Sequence, residues 1–270
     1  MKKFTCITIC ALSLMLAAGC KDDPVGGTPI NPNYSGKVNV AAESSKIVSQ
    51  TVTEDVWVAA LSDQAFANVT CTASRVQCKN GELWGTTVSG YGLSYKINEN
   101  GSYKYEYDDT QSIETYFETV TADEVDDTTT LTAKQKKFLR LHGYFAYKYE
   151  YDKETKTWSK TDDDNEFNYA ISGETLKERF MICAKDYYES FTYSQTEKAY
   201  IAETITLPLS EDENEENTRE YANVILKFKD NKLAYMEYTM EDYGGTEGNY
   251  QTVGILFYNY NTTTFTFPKV

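Results

Sequence analysis

One histidine, 23 tyrosines and 41 acidic side chains set the chemistry this 270-residue chain can offer. A catalytic triad, or a general base working near neutral pH, would have to use His142, and a lone imidazole makes no histidine cluster for a metal. His142 ends the run Lys134-Gln135-Lys136-Lys137-Phe138-Leu139-Arg140-Leu141 and precedes Gly143. That is where a helix stops, so a cation at a helix C-terminus accounts for His142 better than catalysis does. No Gly-x-Ser-x-Gly, Ser-x-x-Lys or His-Glu-x-x-His occurs. Asp162-Asp163-Asp164-Asn165-Glu166 begins like a calcium loop, but Phe167 stands where its glycine belongs and Gly173 where its bidentate glutamate belongs. It reads as a solvated acidic turn, and Glu211-Asp212-Glu213-Asn214-Glu215-Glu216 as an exposed loop. No two carboxylates are singled out by spacing for glycoside hydrolysis. The expectation is a protein that binds, with no enzyme activity, metal or cofactor.

Thiols carry the remaining chemistry. Cys71 and Cys78 are seven residues apart, which on one continuous strand separates them by more than about 20 Å. A disulfide therefore needs a turn between them, and 73–76 is the candidate. Cys183 lies on the apolar face of an expected helix and reads as a buried free thiol. Cys20 is different in kind. Met1-Lys2-Lys3 is basic, 7–18 is apolar and too short to span a bilayer, and Ala17-Ala18-Gly19 is small. Leu16-Ala17-Ala18-Gly19-Cys20 resembles the lipobox of bacterial lipoproteins. The resemblance implies cleavage before Cys20 and acyl chains on its thiol and on the new amine, and two or more chains hold a soluble domain stably on a membrane. Lys21-Asp22-Asp23 resembles the export signal of lipoproteins of the Bacteroides group that reach the outer face of the outer membrane; the alternative is the periplasmic leaflet. Residues 1–19 are then a signal peptide, 20–45 the lipidated Cys and a flexible tether, and 46–270 a single domain. Asp127-Thr128-Thr129 resembles that group's short O-glycosylation sequon, which makes Thr128 a candidate acceptor.

Removing residues 1–19 takes away two lysines, so the formal charge moves from −15 to −17. Such an acidic surface argues against nucleic acid or an anionic headgroup layer as partner. Periodicity predicts helices at 53–67, where Thr53 caps and Trp57 faces the core, at 173–190 with Ser172 as cap, and at 133–142. The rest alternates with period two. Hairpins are expected around 99–101, around 229–232, and around 259–261 with a final strand at 265–267. The predicted class is therefore mainly β (α+β), with a largely antiparallel sheet.

One hexapeptide occurs twice, as Tyr103-Lys104-Tyr105-Glu106-Tyr107-Asp108 and Tyr147-Lys148-Tyr149-Glu150-Tyr151-Asp152. In a strand each copy sets three tyrosines on one face. The plain reading is a pair of good β-formers with one buried face. Buried phenols need partners, however, so the six rings are also candidates to line a cavity or groove for a ligand.

The order of elements has a family likeness. Val52-Thr53-Glu54-Asp55-Val56-Trp57 with Ala60-Leu61, then Phe66-Ala67-Asn68-Val69-Thr70, aromatic-rich hairpins and a closing segment at 258–268 resemble the half-barrel lipoproteins that include the bacterial carrier LolA and mycobacterial LppX. The closing segment has Asn259 where Gly is usual in that family. The resemblance implies a curved antiparallel sheet with two or three helices on its concave face and an apolar pocket for acyl chains; the many tyrosines shift the expected ligand toward an amphipathic one. The alternative is a surface module contacting glycan or protein through Trp84 and Trp158.

Overall fold

The computed structural model describes residues 39–80, 82–94, 101–107, 112–126, 128–162, 182–208, 218–241, 247–264 and 266–270, with backbone alone at 63, 84–94, 101–107, 112–114, 142, 182–184 and 208. Three short helices open it: α1 Val40–Ser45, α2 Glu54–Ala60 and α3 Asp63–Phe66. Strands β1 Asn68–Lys79, β2 Glu82–Ser94, β3 Gly101–Tyr107 and β4 Ser112–Thr121 lead to helix α4 Ala133–His142. Then come β5 Tyr144–Asp152, β6 Thr157–Asp162, a 3-10 segment Ile182–Ser190, β7 Thr192–Ser194, β8 Ala199–Pro208, β9 Thr218–Lys229, β10 Lys232–Glu241 and β11 Tyr250–Tyr258. All eleven strands form one sheet in the order β6-β5-β4-β3-β2-β1-β11-β10-β9-β8-β7, every described pair antiparallel. It is curved and not closed, as the half-barrel likeness implies. The first strand pairs with the last, Thr70 opposite Tyr258, and the two edges, β6 and β7, are consecutive in the chain.

Local chemistry explains most element boundaries. Thr132 and Gln135 form a reciprocal capping box at the start of α4, and Gly143 ends it at φ +78°. Asp230 and Asn231 both take positive φ, giving the tight turn between β9 and β10. The helix expected at 53–67 is two helices: Thr53 caps α2, the chain breaks at Leu61, and the Ser62 hydroxyl accepts from Ala65 N at 3.3 Å to start α3. Of the helix expected at 173–190, residues 173–181 lie outside the described residues, and the remainder winds as 3-10, with Tyr187 leaving the helical region at φ −118°. From this segment the Tyr188 hydroxyl donates to Val52 O at 3.1 Å while its ring meets Trp57 edge-on. The turn of the first hairpin, 95–100, lies outside the described residues, but its strands pair as expected from Ser94 opposite Gly101.

The third hairpin does not form. Asn259 and Asn261 do turn the chain, at positive φ, but β11 is already flanked by β10 and β1, so no edge is free for a strand at 265–267. The tail crosses β1 instead: Asn261 N donates to Asn68 O at 2.8 Å, Asn68 and Thr263 exchange amide bonds, and the hydroxyls of Thr70 and Thr263 lie 2.8 Å apart.

The two faces of the sheet differ. Val69, Cys71 and Ala73 of β1, Val253, Ile255 and Phe257 of β11, and buried residues of β8–β10 pack against Trp57, Leu61 and Phe66. On the other face α1 lays Val40, 2% exposed, onto Tyr235 and Leu256. Asn39 caps α1. The packed domain therefore begins before 46, and α1 is taken out of the expected 20–45 tether because it has an apolar partner on the sheet. Gly254 makes this contact possible, since a Cβ there would lie 2.8 Å from the Tyr235 hydroxyl, which itself donates to Glu237 beneath α1. Gly254→Ala is expected to cost about 1–3 kcal/mol by overpacking, measurable as a lower urea midpoint at unchanged m value.

Cys71 and Cys78 correct the disulfide expectation: both are buried and no disulfide joins them. The segment 73–76 is not a turn but the middle of β1, paired without interruption to β11 on one side and to β2 on the other. Seven residues of strand span about 23 Å, beyond the reach of a disulfide. Burial pushes the Cys71 thiol far up, so it should stay inert in the native protein. A thiol reagent at pH 8 is expected to label Cys71 only after denaturation, and denaturation without reductant should suffice to label both residues. Labelling of both only after reduction would contradict this strand.

Candidate functional site

The twin tyrosine strands are not neighbours: β3 and β5 flank β4. The register nonetheless brings them into rows, because Tyr103 and Tyr149 both stand opposite Tyr116. Through Gly92 and Thr70 the same row runs to Tyr258. The tyrosines thus share the α1 face of the sheet, opposite the Trp57 core. The side chains of Tyr103, Tyr105 and Tyr107 lie outside the described residues, as does that of Trp84; the second copy can be followed in detail.

Tyr149 is buried, 4% exposed, whereas Tyr147 and Tyr151 are half-buried. The Tyr149 hydroxyl donates to Glu118 Oε2 at 2.6 Å, and Lys160 Nζ reaches the same oxygen at 2.8 Å. Burial, and then the bond to the Glu118 carboxylate, raise the pKa of the Tyr149 phenol. For Lys160 burial works downward, but Glu118 and Tyr149 outweigh it and hold the ammonium above its ordinary value. The same ammonium lies 3.8 Å from the centre of the Tyr147 ring, a cation–π contact. Trp158 stands across from Tyr151 and packs 5.5 Å from Tyr116 and 5.3 Å from Tyr151. Gln135, from the first turn of α4, donates to Asp162 at 2.8 Å beside Tyr147. Over Tyr149 lies Phe267 of the C-terminal tail, stacked at 5.5 Å with 21° between the rings.

This is an aromatic layer with a polar seam. Tyr147, Tyr149 and Tyr151 come together as the repeat implies, with the central ring packed and its hydroxyl paired. Tyr116, Glu118, Lys160 and Phe267 complete the cluster and were not legible as site residues. The period-two set Trp158, Lys160, Asp162 was the available signal, since it places a ring, a cation and a carboxylate on one face of β6.

Other expected positions are scattered. Cys20, Lys21, Asp22 and Asp23 lie outside the described residues, and among the described residues no helix is long and apolar enough to cross a membrane. Thr128 is exposed in a turn where its N–H and hydroxyl both donate to Asp126 Oδ1, at 2.9 and 2.6 Å. His142 is the last residue of α4, where the sequence put it, and Cys183 falls in the 3-10 segment; the side chains of both lie outside the described residues. Among the described residues no group of three or more His, Cys, Asp or Glu is placed to hold a metal.

No protein-family model and no curated protein matches this chain. Among solved structures it is similar to the crystal structure of a DUF1329 family protein from Desulfovibrio piger, with 10% identity over 80% of this chain and 93% of that one and a TM-score of 0.29, a likeness too slight to carry an argument.

Proposed function

We propose that this chain is a lipoprotein, anchored in the outer membrane through acyl chains on Cys20 and exposed at the cell surface, whose half-barrel domain binds an amphipathic ligand. The observation that carries the binding reading is the cover over Tyr149. It is Phe267, in a tail without secondary structure, stacked on a ring whose neighbours Tyr147, Tyr151 and Trp158 are only half-buried. A ligand that took the place of Phe267 would stack on Tyr149 and find Lys160, Glu118 and Gln135 for its polar groups. The acidic surface supports a neutral or zwitterionic body for that ligand.

Lysophosphatidylcholine added to the purified domain is the test. Binding to the folded state alone stabilises by about 2.7 kcal/mol at a hundredfold excess over Kd, so the melting temperature should rise and Trp fluorescence should change. Phe267→Ala should bind more tightly, because its cover is already gone. A well-folded wild type that shows no thermal shift with fatty acids, lysolipids or oligosaccharides would sink the reading. A second reading, contact with a glycan or protein, is favoured by the half-buried Trp158 on edge strand β6. A shift with oligosaccharides alone, lost in Trp158→Ala, would select it.

A further inference from the structure

The cover over Tyr149 is itself a peptide, and the way it is held defines what the seat fits. Thr263, 1% exposed, latches the tail to β1 through Asn68 and Thr70. Beyond this latch, residues 264 and 266–270 have no secondary structure. Thr264, Thr266, Lys269 and Val270 are exposed, whereas Pro268 is buried and Phe267 is half-buried on the Tyr149 ring. Latch and seat stand on one transverse row of the sheet, which runs Thr70, Gly92, Tyr103, Tyr116 and Tyr149. The tail therefore crosses the strands instead of pairing with one, and its far end is gripped by a Phe-Pro pair on an aromatic surface.

Surfaces of this kind take such segments well. Proline holds its backbone extended before binding, so less entropy is lost on docking, and rows of rings recognise proline-containing peptides for that reason. Here the rings are Tyr149 and, half-buried beside it, Tyr147, Tyr151 and Trp158. Charge points the same way. Residues 259–270 hold one lysine and no acid, in a chain of formal charge −15, so the segment in the seat is opposite in sign to the body it covers.

We propose that the Tyr149 seat is a docking site for an extended segment of a partner protein, free of acids and carrying an aromatic residue followed by proline and a base, and that residues 264–270 occupy it as an internal competitor. This rests on Tyr149 being a binding seat, and it names the amphipathic ligand as a peptide. A segment joined to its own seat competes at an effective concentration of about 1 mM. A partner must therefore bind more tightly than the tail, or meet the protein with the tail displaced.

A fluorescein-labelled peptide with the sequence of residues 262–270, titrated into the whole domain and read by polarisation, is the probe. Phe267→Ala/Pro268→Ala empties the seat and keeps the Thr263 latch, so it is expected to bind the peptide at least tenfold more tightly than wild type. On that variant, a peptide with Ala for its second Phe should bind at least tenfold more weakly. Adding Tyr149→Ala should abolish binding, whereas Tyr149→Phe, which keeps the ring, should not. Circular dichroism checks the fold of each variant. Wild type gives a second readout that needs no variant: excess unlabelled peptide should displace the tail and speed amide exchange at 264–267. Equal affinity of the emptied variant for the Phe and Ala peptides overturns the proposal, as does unchanged exchange in wild type at saturating peptide. A thermal shift with lysophosphatidylcholine but no peptide binding by the folded, emptied variant overturns this proposal and leaves the lipid reading standing. Peptide binding without any lysolipid shift does the reverse. Dimers of wild type that vanish in Phe267→Ala/Pro268→Ala would give the seat to the tail of a second copy and overturn the foreign partner.

Discussion

Trp57→Ala is expected to cost about 3–5 kcal/mol, a large share of the roughly 5–15 kcal/mol that holds a domain folded. Trp57 has no exposed surface, and its ring touches four others, Tyr188, Phe191, Tyr200 and Phe228, at 5.0 to 5.4 Å. Those rings come from the 3-10 segment, the residue before β7, β8 and β9, so the indole is where four pieces of chain meet. The same cluster orders the segment before α2: the Tyr200 hydroxyl accepts from Val52 N at 2.8 Å and donates to Val52 O at 3.0 Å, and the Tyr193 hydroxyl donates to Ser49 O at 2.7 Å. Truncation should therefore loosen residues 49–52 as well as leave a cavity. Urea unfolding followed by circular dichroism would give the value, with Val58→Ala, one residue along and 40% exposed, expected to stay within about 0.5 kcal/mol of wild type. A loss under 1 kcal/mol for Trp57→Ala would mean that the indole is not the centre of this core.

Cys20→Ala is expected to shift the protein from the membrane fraction to the soluble one. The anchor reading gives the acyl chains one thiol to attach to, and the substitution removes that anchor. Carbonate washing of membranes from cells carrying each form decides it; a variant that still resists the wash removes the lipoprotein reading. Protease added to intact cells tests the outward face: wild type should be cut, and replacement of Lys21, Asp22 and Asp23 with Ala should protect it. Equal protection of both would put the domain on the periplasmic side.

What the sequence revealed was local. Thr132, Gln135 and Gly143 mark the ends of α4, and Asp230-Asn231 marks a two-residue turn, because caps and turns are decided by residues a few positions apart. Thr53 and Trp57 announced α2 for the same reason. What failed was decided by partners far along the chain. The span between Cys71 and Cys78 reads equally as a turn or a strand until β11 is known to lie beside it, and the closing segment reads as a hairpin arm until β1 is known to occupy that flank. The tyrosines are instructive in a different way. Their number argued for a wet cavity, since phenols need partners, yet the described ones largely find them in the protein: Tyr188 and Tyr200 on Val52 O, Tyr193 on Ser49 O, Tyr260 on Leu233 O, Tyr149 on Glu118. Backbone carbonyls of connecting segments are acceptors that no side-chain pattern displays.

The pairing of the first strand with the last has a consequence for how the chain folds. Thr70 and Tyr258 meet at the centre of the sheet, so its middle seam is the contact with the greatest separation along the chain, and the entropy of closing so long a loop must be met before the two meanders share a core. While the chain emerges N-terminus first, β1 has β2 on one side and no partner on the other until the final strand arrives. The fold is thus topologically a ring cut between β6 and β7, where the chain itself is continuous. A circular permutant that joins the present ends and opens the chain between those two edge strands would keep every described strand pairing while making the β1–β11 seam local, and it should fold faster than the natural order at similar stability.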